Sequence, residues 1–267
     1  MTDHTTNIPI TRIKINNITI SQAISGDENS PSILILHGWG ANISLVWSLA
    51  QGIAKHGYRV FTLDMPGFGD SDDPPESWTI FDYTKFIIAY LDYHQLEKIH
   101  LFGHSFGGRI GLILGADQAN RIHKMVLADS AGIRPKIPFM TQLRTRTYKS
   151  IRSVLETIGL NSLSHTLRKH YNARYGSVDF KAISGIMRET FVNVINQDLL
   201  DHASRVRVPT VLIWGENDED TPLWMGKKLE QTIPDAGLVT YPNSGHYSYL
   251  ENLSQTIRVM DALFKQD

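Results

Sequence analysis

A single serine stands where a strand pattern passes directly into a helix pattern. The apolar run Ile99–Phe102 predicts a buried strand and Arg109–Ala116 predicts a helix, with Gly103-x-Ser105-x-Gly107 between them. Flanking glycines let backbone approach closely, so the serine can occupy a strained turn that presents its hydroxyl at the sheet edge. The N-terminus of the new helix lies beside that hydroxyl. The spacing indicates a nucleophile, although an ordinary glycine-rich turn also fits the pentapeptide alone.

Short apolar runs recur along the chain with helix patterns between them. Residues 10–24 alternate apolar and polar around Asn16-Asn17, which predicts an antiparallel hairpin. Further strands are predicted at 33–36, 58–63, 99–102, 125–128, 210–214 and 237–241, and helices near 43–55, 80–93, 223–232 and 252–265. This alternation predicts an α/β fold with a mostly parallel, doubly wound sheet.

The alternation stops between residues 131 and 200. Only helix-like stretches occur there, over 141–158, 163–171 and 180–195. A helical insertion in a parallel-sheet domain is most simply a cap over the carboxyl ends of the strands. We therefore predict a core of residues 1–130 and 201–267 with an inserted helical cap, 131–200.

Composition excludes several classes of function. The 267 residues include no cysteine, which excludes disulfides, cysteine nucleophiles and thiolate metal sites. A formal net charge of −1 predicts neither a nucleic-acid partner nor an anionic membrane surface. The first residues show no secretory pattern and no apolar run reaches membrane-spanning length, so we expect a cytoplasmic protein without a membrane span. No cofactor is expected, and no cluster with metal-ligand spacing is visible.

A serine nucleophile needs a base, and the base needs a group that orients it. His246 follows the last predicted strand, and Asp218 follows another, so both are expected at the same sheet edge as Ser105. The chain order Ser, Asp, His is that of hydrolases built on a nucleophile elbow. Alternatives are His37, His104 and His123 as the base, and Asp129, Glu216, Glu219 and Asp220 as the acid. Asp64 and Asp70 are expected to pin their own loop.

Over nearly its whole length the chain resembles the α/β-hydrolase fold family. The resemblance rests on His37-Gly38-Trp39-Gly40, the segment 64–71, the serine elbow, and the Asp218 and His246 loops. It implies Ser105, Asp218 and His246 as catalytic residues, with the backbone N–H groups of Trp39 and Phe106 as oxyanion donors. Serine at the elbow, rather than aspartate, implies a carboxylesterase that forms an acyl-serine.

Two types within this family are similar in detail. The segment 37–47 looks like that of methyl esterases acting on pimeloyl-acyl carrier protein, although His104 and Phe106 depart from their elbow. The other type comprises meta-cleavage-product hydrolases, which break C–C bonds. We predict hydrolysis of small to medium acyl esters; the alternatives are C–C cleavage and a ligand sensor with slow turnover. The predicted substrate pocket contains His37, Gly38, Phe68, His104, Phe139 and Met140.

The predicted cap carries an uneven charge. Eleven Lys and Arg residues against four Asp and Glu residues give residues 131–200 a net charge of +7, which leaves −8 for the rest of the chain. Besides a small-molecule ester, such a basic cap fits an acidic carrier protein as a partner. A solvated helix face with scattered basic residues accounts for the same composition.

Overall fold

The computed structural model describes residues 8–134, 139–164, 166–167 and 184–265, with the backbone alone for residues 139–145 and 149. Eight strands form one sheet: β1 (Ile10–Ile15), β2 (Ile18–Ser25), β3 (Ser32–Leu36), β4 (Arg59–Leu63), β5 (Ile99–His104), β6 (Ile122–Ala128), β7 (Thr210–Gly215) and β8 (Ala236–Tyr241). Their order is β1-β2-β4-β3-β5-β6-β7-β8. Only the β1–β2 and β2–β4 pairs are antiparallel. The predicted doubly wound, mostly parallel sheet is confirmed.

Helices connect the parallel strands. They are α1 (Ile43–Ala54), α2 (Ile80–Tyr93), α3 (Phe106–Asp117), α4 (Phe139–Thr157), α5 (Gly185–Asn196), α6 (Leu200–Arg205), α7 (Leu223–Thr232), α8 (Ser248–Glu251) and α9 (Leu253–Phe264). None of the helices that the structure describes combines the length and apolar character needed to cross a membrane.

Local sequence signals set several element boundaries. The β1–β2 hairpin turns at Asn16 and Asn17, which have φ values of 47° and 66°, as a two-residue turn with left-handed residues requires. Helix α2 begins after Thr79, whose backbone N–H donates to Asp82 Oδ2 at 2.9 Å. The Asp82 N–H donates back to Thr79 Oγ1, which completes a capping box.

The core consists of two apolar layers, one on each face of the sheet. Alternation along β3 shows the division, because Leu34 and Leu36 belong to one layer while Ile33 and Ile35 belong to the other. Helices α2, α3, α6 and α7 contribute to the first layer, and α1 and α9 contribute to the second. Burial on both faces explains why the central strands are continuous apolar runs.

The strand order reverses beside β3, which lies between β4 and β5. In open α/β sheets the crevice at such a reversal, outside the carboxyl ends of the strands, is where ligands bind. The segment His37-Gly38-Trp39 follows β3, and Ser105 follows β5. The topology therefore brings the two glycine-containing motifs to one crevice.

The predicted cap lies between β6 and β7. Its described residues contain no strand; they include α4, α5 and a helical stretch at 161–164. Helix α5 packs on the loop before α2, where the Trp78 N–H donates to Thr190 Oγ1 at 3.0 Å. Most of the predicted helix 163–171, and residues 180–183 of the next one, fall outside the described residues. The assignment of 131–200 as a cap stays a prediction.

Candidate active site

Ser105 occupies a strained turn between β5 and α3. Its φ of 48° and ψ of −102° lie where residues other than glycine are rare. The neighbouring glycines are needed for close approach, since a Cβ on Gly103 would lie 2.7 Å from Gly107 O, and one on Gly107 would lie 2.4 Å from Leu36 O. Backbone hydrogen bonds hold the turn, from the Ser105 N–H to Ala128 O at 3.0 Å and from the Ala131 N–H to Ser105 O at 3.1 Å.

Two remote loops bring an imidazole and a carboxylate to this serine. His246 Nε2 lies 3.0 Å from Ser105 Oγ, and His246 Nδ1 lies 2.9 Å from Asp218 Oδ2. Asp218 is in turn fixed by Thr221, whose Oγ1 donates to Oδ2 at 2.7 Å and whose N–H donates to Oδ1 at 2.9 Å. With the serine hydroxyl donating to Nε2, and Nδ1–H donating to Asp218, a continuous chain links the three side chains.

The electrostatics of this chain suit proton transfer. Burial disfavours a charge on His246, but the hydrogen bond to Asp218 and the charges of Asp218, Asp129 and Asp220 outweigh it and raise the pKa of His246. Burial likewise favours neutral Asp218, yet hydrogen bonds from His246 and Thr221 lower the pKa of this carboxyl. Asp218 is therefore ionised at neutral pH, next to an imidazole that accepts a proton readily.

Asp129 also lies at this edge of the sheet but does not bond to His246. Its carboxylate accepts hydrogen bonds from the Gly215 N–H at 2.9 Å and from the hydroxyl and N–H of Ser248 at 2.6 and 3.2 Å. Burial raises the pKa of Asp129 to about 7. This residue ties the turn after β6 to the end of β7 and to the start of α8.

The three histidines that are alternatives to His246 as the base lie elsewhere and make other contacts. His37 is fully buried, with Nδ1 2.7 Å from Gly38 O and Nε2 accepting the Met65 N–H, and burial lowers its pKa to about 4. His104 donates from Nε2 to His246 O at 2.8 Å, and burial lowers its pKa to about 3. His123 is exposed near the start of β6, away from the carboxyl ends of the strands.

The proposed oxyanion donors lie on the two motifs at the crevice. A Cβ on Gly38 would lie 2.7 Å from His104 Nδ1 and 3.5 Å from Ser105 Cβ, so the loop after β3 contacts the serine turn directly. The rings of Trp39 and Phe106 meet edge to face at 5.3 Å. Among the described residues, neither of their backbone N–H groups has a protein acceptor. Both amides are thus free for a substrate oxygen.

The loop after β4 is held in place next to the crevice by the carboxylate of Asp64. Asp64 Oδ1 accepts the Ile43 N–H at 2.7 Å, and Oδ2 accepts the Asp70 N–H at 3.0 Å. Asp64 therefore pins its own loop, as expected from the sequence, and also ties that loop to the start of α1. Asp70 contributes its backbone N–H to this arrangement.

A cavity of about 560 Å³ opens at Ser105. Its described lining consists of Gly38, Trp39, His104, Ser105, Phe106, Arg109, Ala131, Ile133, Arg134, Phe191, Val194, Ile195, Asn196, Asp220, Thr221, Met225, His246 and Tyr247. Two residues of the predicted substrate pocket, Gly38 and His104, are at its wall. His37 and Phe68 are not; they lie behind it, where the Phe68 ring packs edge to face on Trp39 at 4.8 Å. The side chains of Phe139 and Met140 lie outside the described residues.

Several residues at the cavity escape sequence reasoning. The sequence gives no signal for Thr221, because its contact with Asp218 depends on how the acidic loop folds. Tyr247 carries no motif of its own and is noticed only through its neighbour His246. Arg109 carried a usable signal: it is the one charged residue among the first eleven positions of α3, whose neighbours are apolar or glycine. A charge at a buried helix position calls for a polar partner or a ligand.

The folded loops also bring together three possible metal ligands that the sequence spacing does not indicate. Ligand-type atoms of Asp218, Asp220 and His246 lie within 4.8 Å of one another. His246 Nδ1 bonds to Asp218, and the Asp220 N–H donates to Asp218 Oδ1 at 2.8 Å, so these hydrogen bonds account for the grouping.

Only part of the basic charge in the predicted cap can be located. Arg134 lines the cavity, and Arg152 pairs with Glu156 at 2.8 Å on an exposed helix surface. Five basic residues lie outside the described residues, and the side chains of two more do: Lys136, Arg168, Lys169, Arg174 and Lys181, then Arg144 and Lys149.

Comparisons with known proteins identify the family. A family model described as alpha/beta hydrolase fold matches residues 31–253. The chain therefore belongs to the α/β-hydrolase family, a family of hydrolytic enzymes. It is similar to the pimeloyl-[acyl-carrier protein] methyl ester esterase of Aeromonas salmonicida (strain A449), with 24% identity over 263 residues that cover 90% of this chain and 98% of that protein.

Two further similarities extend the comparison. The 2-hydroxy-6-oxononadienedioate/2-hydroxy-6-oxononatrienedioate hydrolase of Escherichia coli O81 (strain ED1a) is 25% identical over 247 residues, which cover 85% of this chain and 83% of that one. The crystal structure of the enol-lactonase from Burkholderia xenovorans LB400 has a TM-score of 0.73 at 21% identity and covers 96% of this chain and 100% of its own. At that identity, the structural match supports the fold alone.

Proposed function

We propose that this protein is a serine carboxylesterase that hydrolyses esters of small to medium acyl chains. The observation that carries the proposal is the hydrogen-bonded chain from Ser105 Oγ through His246 to Asp218, at 3.0 and 2.9 Å, opening on a cavity. Serine hydroxyls are poor nucleophiles without such a base and orienting group. The strained backbone of Ser105 supports the same role.

The reaction proceeds in two halves. Ser105 Oγ attacks the ester carbonyl carbon while its proton moves to His246 Nε2, and Asp218 stabilises the resulting imidazolium. The backbone N–H groups of Trp39 and Phe106 hold the oxyanion. His246 then protonates the leaving alcohol, so that an acyl-Ser105 remains. Water attacks this acyl group, gives a proton to His246, and releases the carboxylic acid and free Ser105.

The names of two relatives indicate which types of bond are cleaved by proteins of this fold. One relative is named as a methyl ester esterase and another as a hydrolase of 2-hydroxy-6-oxononadienedioate, so ester and C–C cleavage both occur on this fold. We favour the ester, because the described groups suffice for acyl transfer to water and no further polar group is required. We also propose residues 131–200 as the cap over this site, since Phe191 and Val194 of α5 line the cavity.

A serine variant tests the proposal. Ser105→Ala should lower the turnover of p-nitrophenyl butyrate by at least about 10⁴-fold, whereas Ser204→Ala, an exposed serine on α6, should retain wild-type turnover. Equal thermal melting of the two variants would show that the fold is intact. Undiminished hydrolysis in Ser105→Ala would refute the assignment.

The same assay separates an esterase from a ligand sensor. Wild-type protein should release many equivalents of p-nitrophenol per chain at a constant rate. Release that stops near one equivalent would instead indicate a sensor that is acylated once.

A further inference from the structure

A buried cation faces the cavity next to the proposed nucleophile. Arg109 lies on α3, four residues after Ser105, and is only 6% exposed. Arg109 nevertheless lines the cavity. The Arg109 N–H donates to Ser105 O at 3.3 Å, and both residues line the cavity, so the two are close neighbours there.

The guanidinium of Arg109 is incompletely satisfied by protein. Within the described part of the chain it donates one hydrogen bond, from Nη1 to Gln197 O at 2.8 Å. None of its nitrogens is both fully enclosed and without a partner, so the unbonded N–H groups reach accessible space, and the residue lines the cavity. A guanidinium carries five N–H donors in a planar fork that matches a carboxylate.

No carboxylate of the described residues pairs with Arg109. Asp198 acts on it only through a longer-range electrostatic interaction, while burial lowers the pKa of Arg109 to about 10, so it remains a cation at neutral pH. Burying an unpaired charge is costly, and an anionic ligand removes that cost by supplying the missing partner.

The charge along the cavity is polarised. Arg109 and Arg134 are both tied to the C-terminal end of α5 and the residue after it: Arg109 bonds to Gln197 O, and Arg134 donates from Nη2 to Asn196 Oδ1 at 3.3 Å. The one acidic side chain among these contacts, Asp198, accepts the Arg134 N–H at 3.0 Å. The acidic residue at the wall, Asp220, lies instead beside His246 and contributes to its raised pKa. With two arginines against Asp198, one end of the cavity carries net positive charge, and the end at His246 carries negative charge.

We propose that Arg109 binds a carboxylate at the far end of the substrate's acyl chain, so that the substrates are monoesters of dicarboxylic acids. This inference rests on the proposed esterase function. His246 protonates the leaving alcohol, so the alcohol lies at the His246 end, where Asp220 repels an anion. The acyl chain then extends toward Arg109, whose free N–H groups hold the second carboxylate in a bidentate pair. Arg109 is thus a specificity-determining residue.

The test compares charged and neutral esters of the same length. We would measure methanol release from monomethyl and dimethyl esters of the C4 to C8 straight-chain diacids, and take the ratio of kcat/KM within each protein preparation. Wild type should favour the monomethyl ester by about tenfold or more at the best length. Arg109→Met should abolish this preference, and Arg109→Lys should retain part of it. The control Arg12→Met removes an exposed arginine from β1 and should keep the wild-type ratio.

The ratio is independent of how much folded enzyme a variant yields. Equal or faster hydrolysis of the dimethyl esters by wild type would overturn the inference, as would an unchanged ratio in Arg109→Met.

Binding to a non-reacting variant separates this inference from the proposed function. Calorimetry should show that Ser105→Ala binds the preferred monomethyl ester and that the double variant with Arg109→Met binds it at least about tenfold more weakly. Such binding without hydrolysis by wild type would refute the esterase and leave the anion site standing. Hydrolysis of neutral esters without binding of the monoester would refute the anion site alone.

Discussion

Two turns at the carboxyl edge of the sheet each hold a buried aspartate near His246, and they differ in the donors that surround it. Asp218, in the loop after β7, accepts hydrogen bonds from His246 and Thr221, and its pKa is lowered despite burial. The carboxylate of Asp129, in the turn after β6, accepts from Gly215 and Ser248 alone among the described residues, and burial raises its pKa to about 7. Both carboxyls lie at the same edge and are buried, Asp129 more deeply, and their pKa values shift in opposite directions.

The difference shows what turns a buried acid into a partner for a base. A carboxylate gains most from a donor that can itself become a cation, because the charges then stabilise each other. Neutral N–H and O–H donors satisfy the geometry of Asp129 but do not outweigh its desolvation. We therefore assign Asp218 to orient and stabilise His246, and Asp129 to hold three backbone segments together.

The largest effect is expected at Asp218. Asp218→Asn should lower kcat on p-nitrophenyl butyrate by about 10³-fold or more, because an amide can donate to Nδ1 and fix the wrong tautomer of His246. Glu219→Gln, an exposed acid in the same loop, serves as the matched control and should stay near wild type. If the two variants lost equal activity, the assignment of Asp218 would fail.

The pH profile sharpens the comparison. His246 must be neutral to accept the serine proton, so kcat/KM should fall as pH drops through its pKa, and the raised pKa places this acid limb above pH 6.5. In Asp218→Asn the limb of the residual activity should move to lower pH, because the hydrogen bond and the charge that raise the pKa are removed. A limb that stays in place would show that Asp218 does not control His246.

Asp129→Asn should affect stability more than catalysis. An amide nitrogen cannot accept from Ser248 or Gly215, so the free energy of unfolding should fall by about 1–3 kcal/mol at pH 5, with kcat changed by less than about tenfold.

The effect of this substitution on stability should depend on pH. The pKa of Asp129 is raised on folding, so the folded state binds the proton more strongly, and the stability from this residue falls as pH rises from about 4 to about 7. The penalty of the substitution should therefore shrink toward pH 8. Urea unfolding at both pH values measures it; a catalytic loss as large as that of Asp218→Asn would contradict the distinction.

Local signals explain how much of this fold could be predicted. The hairpin at Asn16-Asn17 follows from residues that tolerate left-handed backbone, and the start of α2 follows from the Thr79–Asp82 capping box. Buried strands were visible because both of their faces are apolar. These features depend on neighbours in the sequence, so the sequence predicts them well.

Site residues could be predicted from the sequence where a local motif fixes the backbone. They could not be predicted where their role depends on contacts between residues far apart in the chain. The serine elbow predicts Ser105, but the choice of Asp218 over Asp129 depends on distances across 28 and 117 positions of the chain, which only the folded loops determine. Pocket residues were harder still. His37 and Phe68 belong to the right motifs yet lie behind the wall, whereas Arg109 reaches the cavity from a helix that otherwise reads as plain core.

Trapping the acyl-enzyme tests the central claim most directly. Wild-type protein quenched in acid during turnover of p-nitrophenyl butyrate should gain the mass of one butyryl group, and peptide fragmentation should locate it on Ser105. Asp129→Asn should give the same adduct, and Ser105→Ala none. Continued turnover with no adduct on Ser105, or with the acyl group on another residue, would contradict the account.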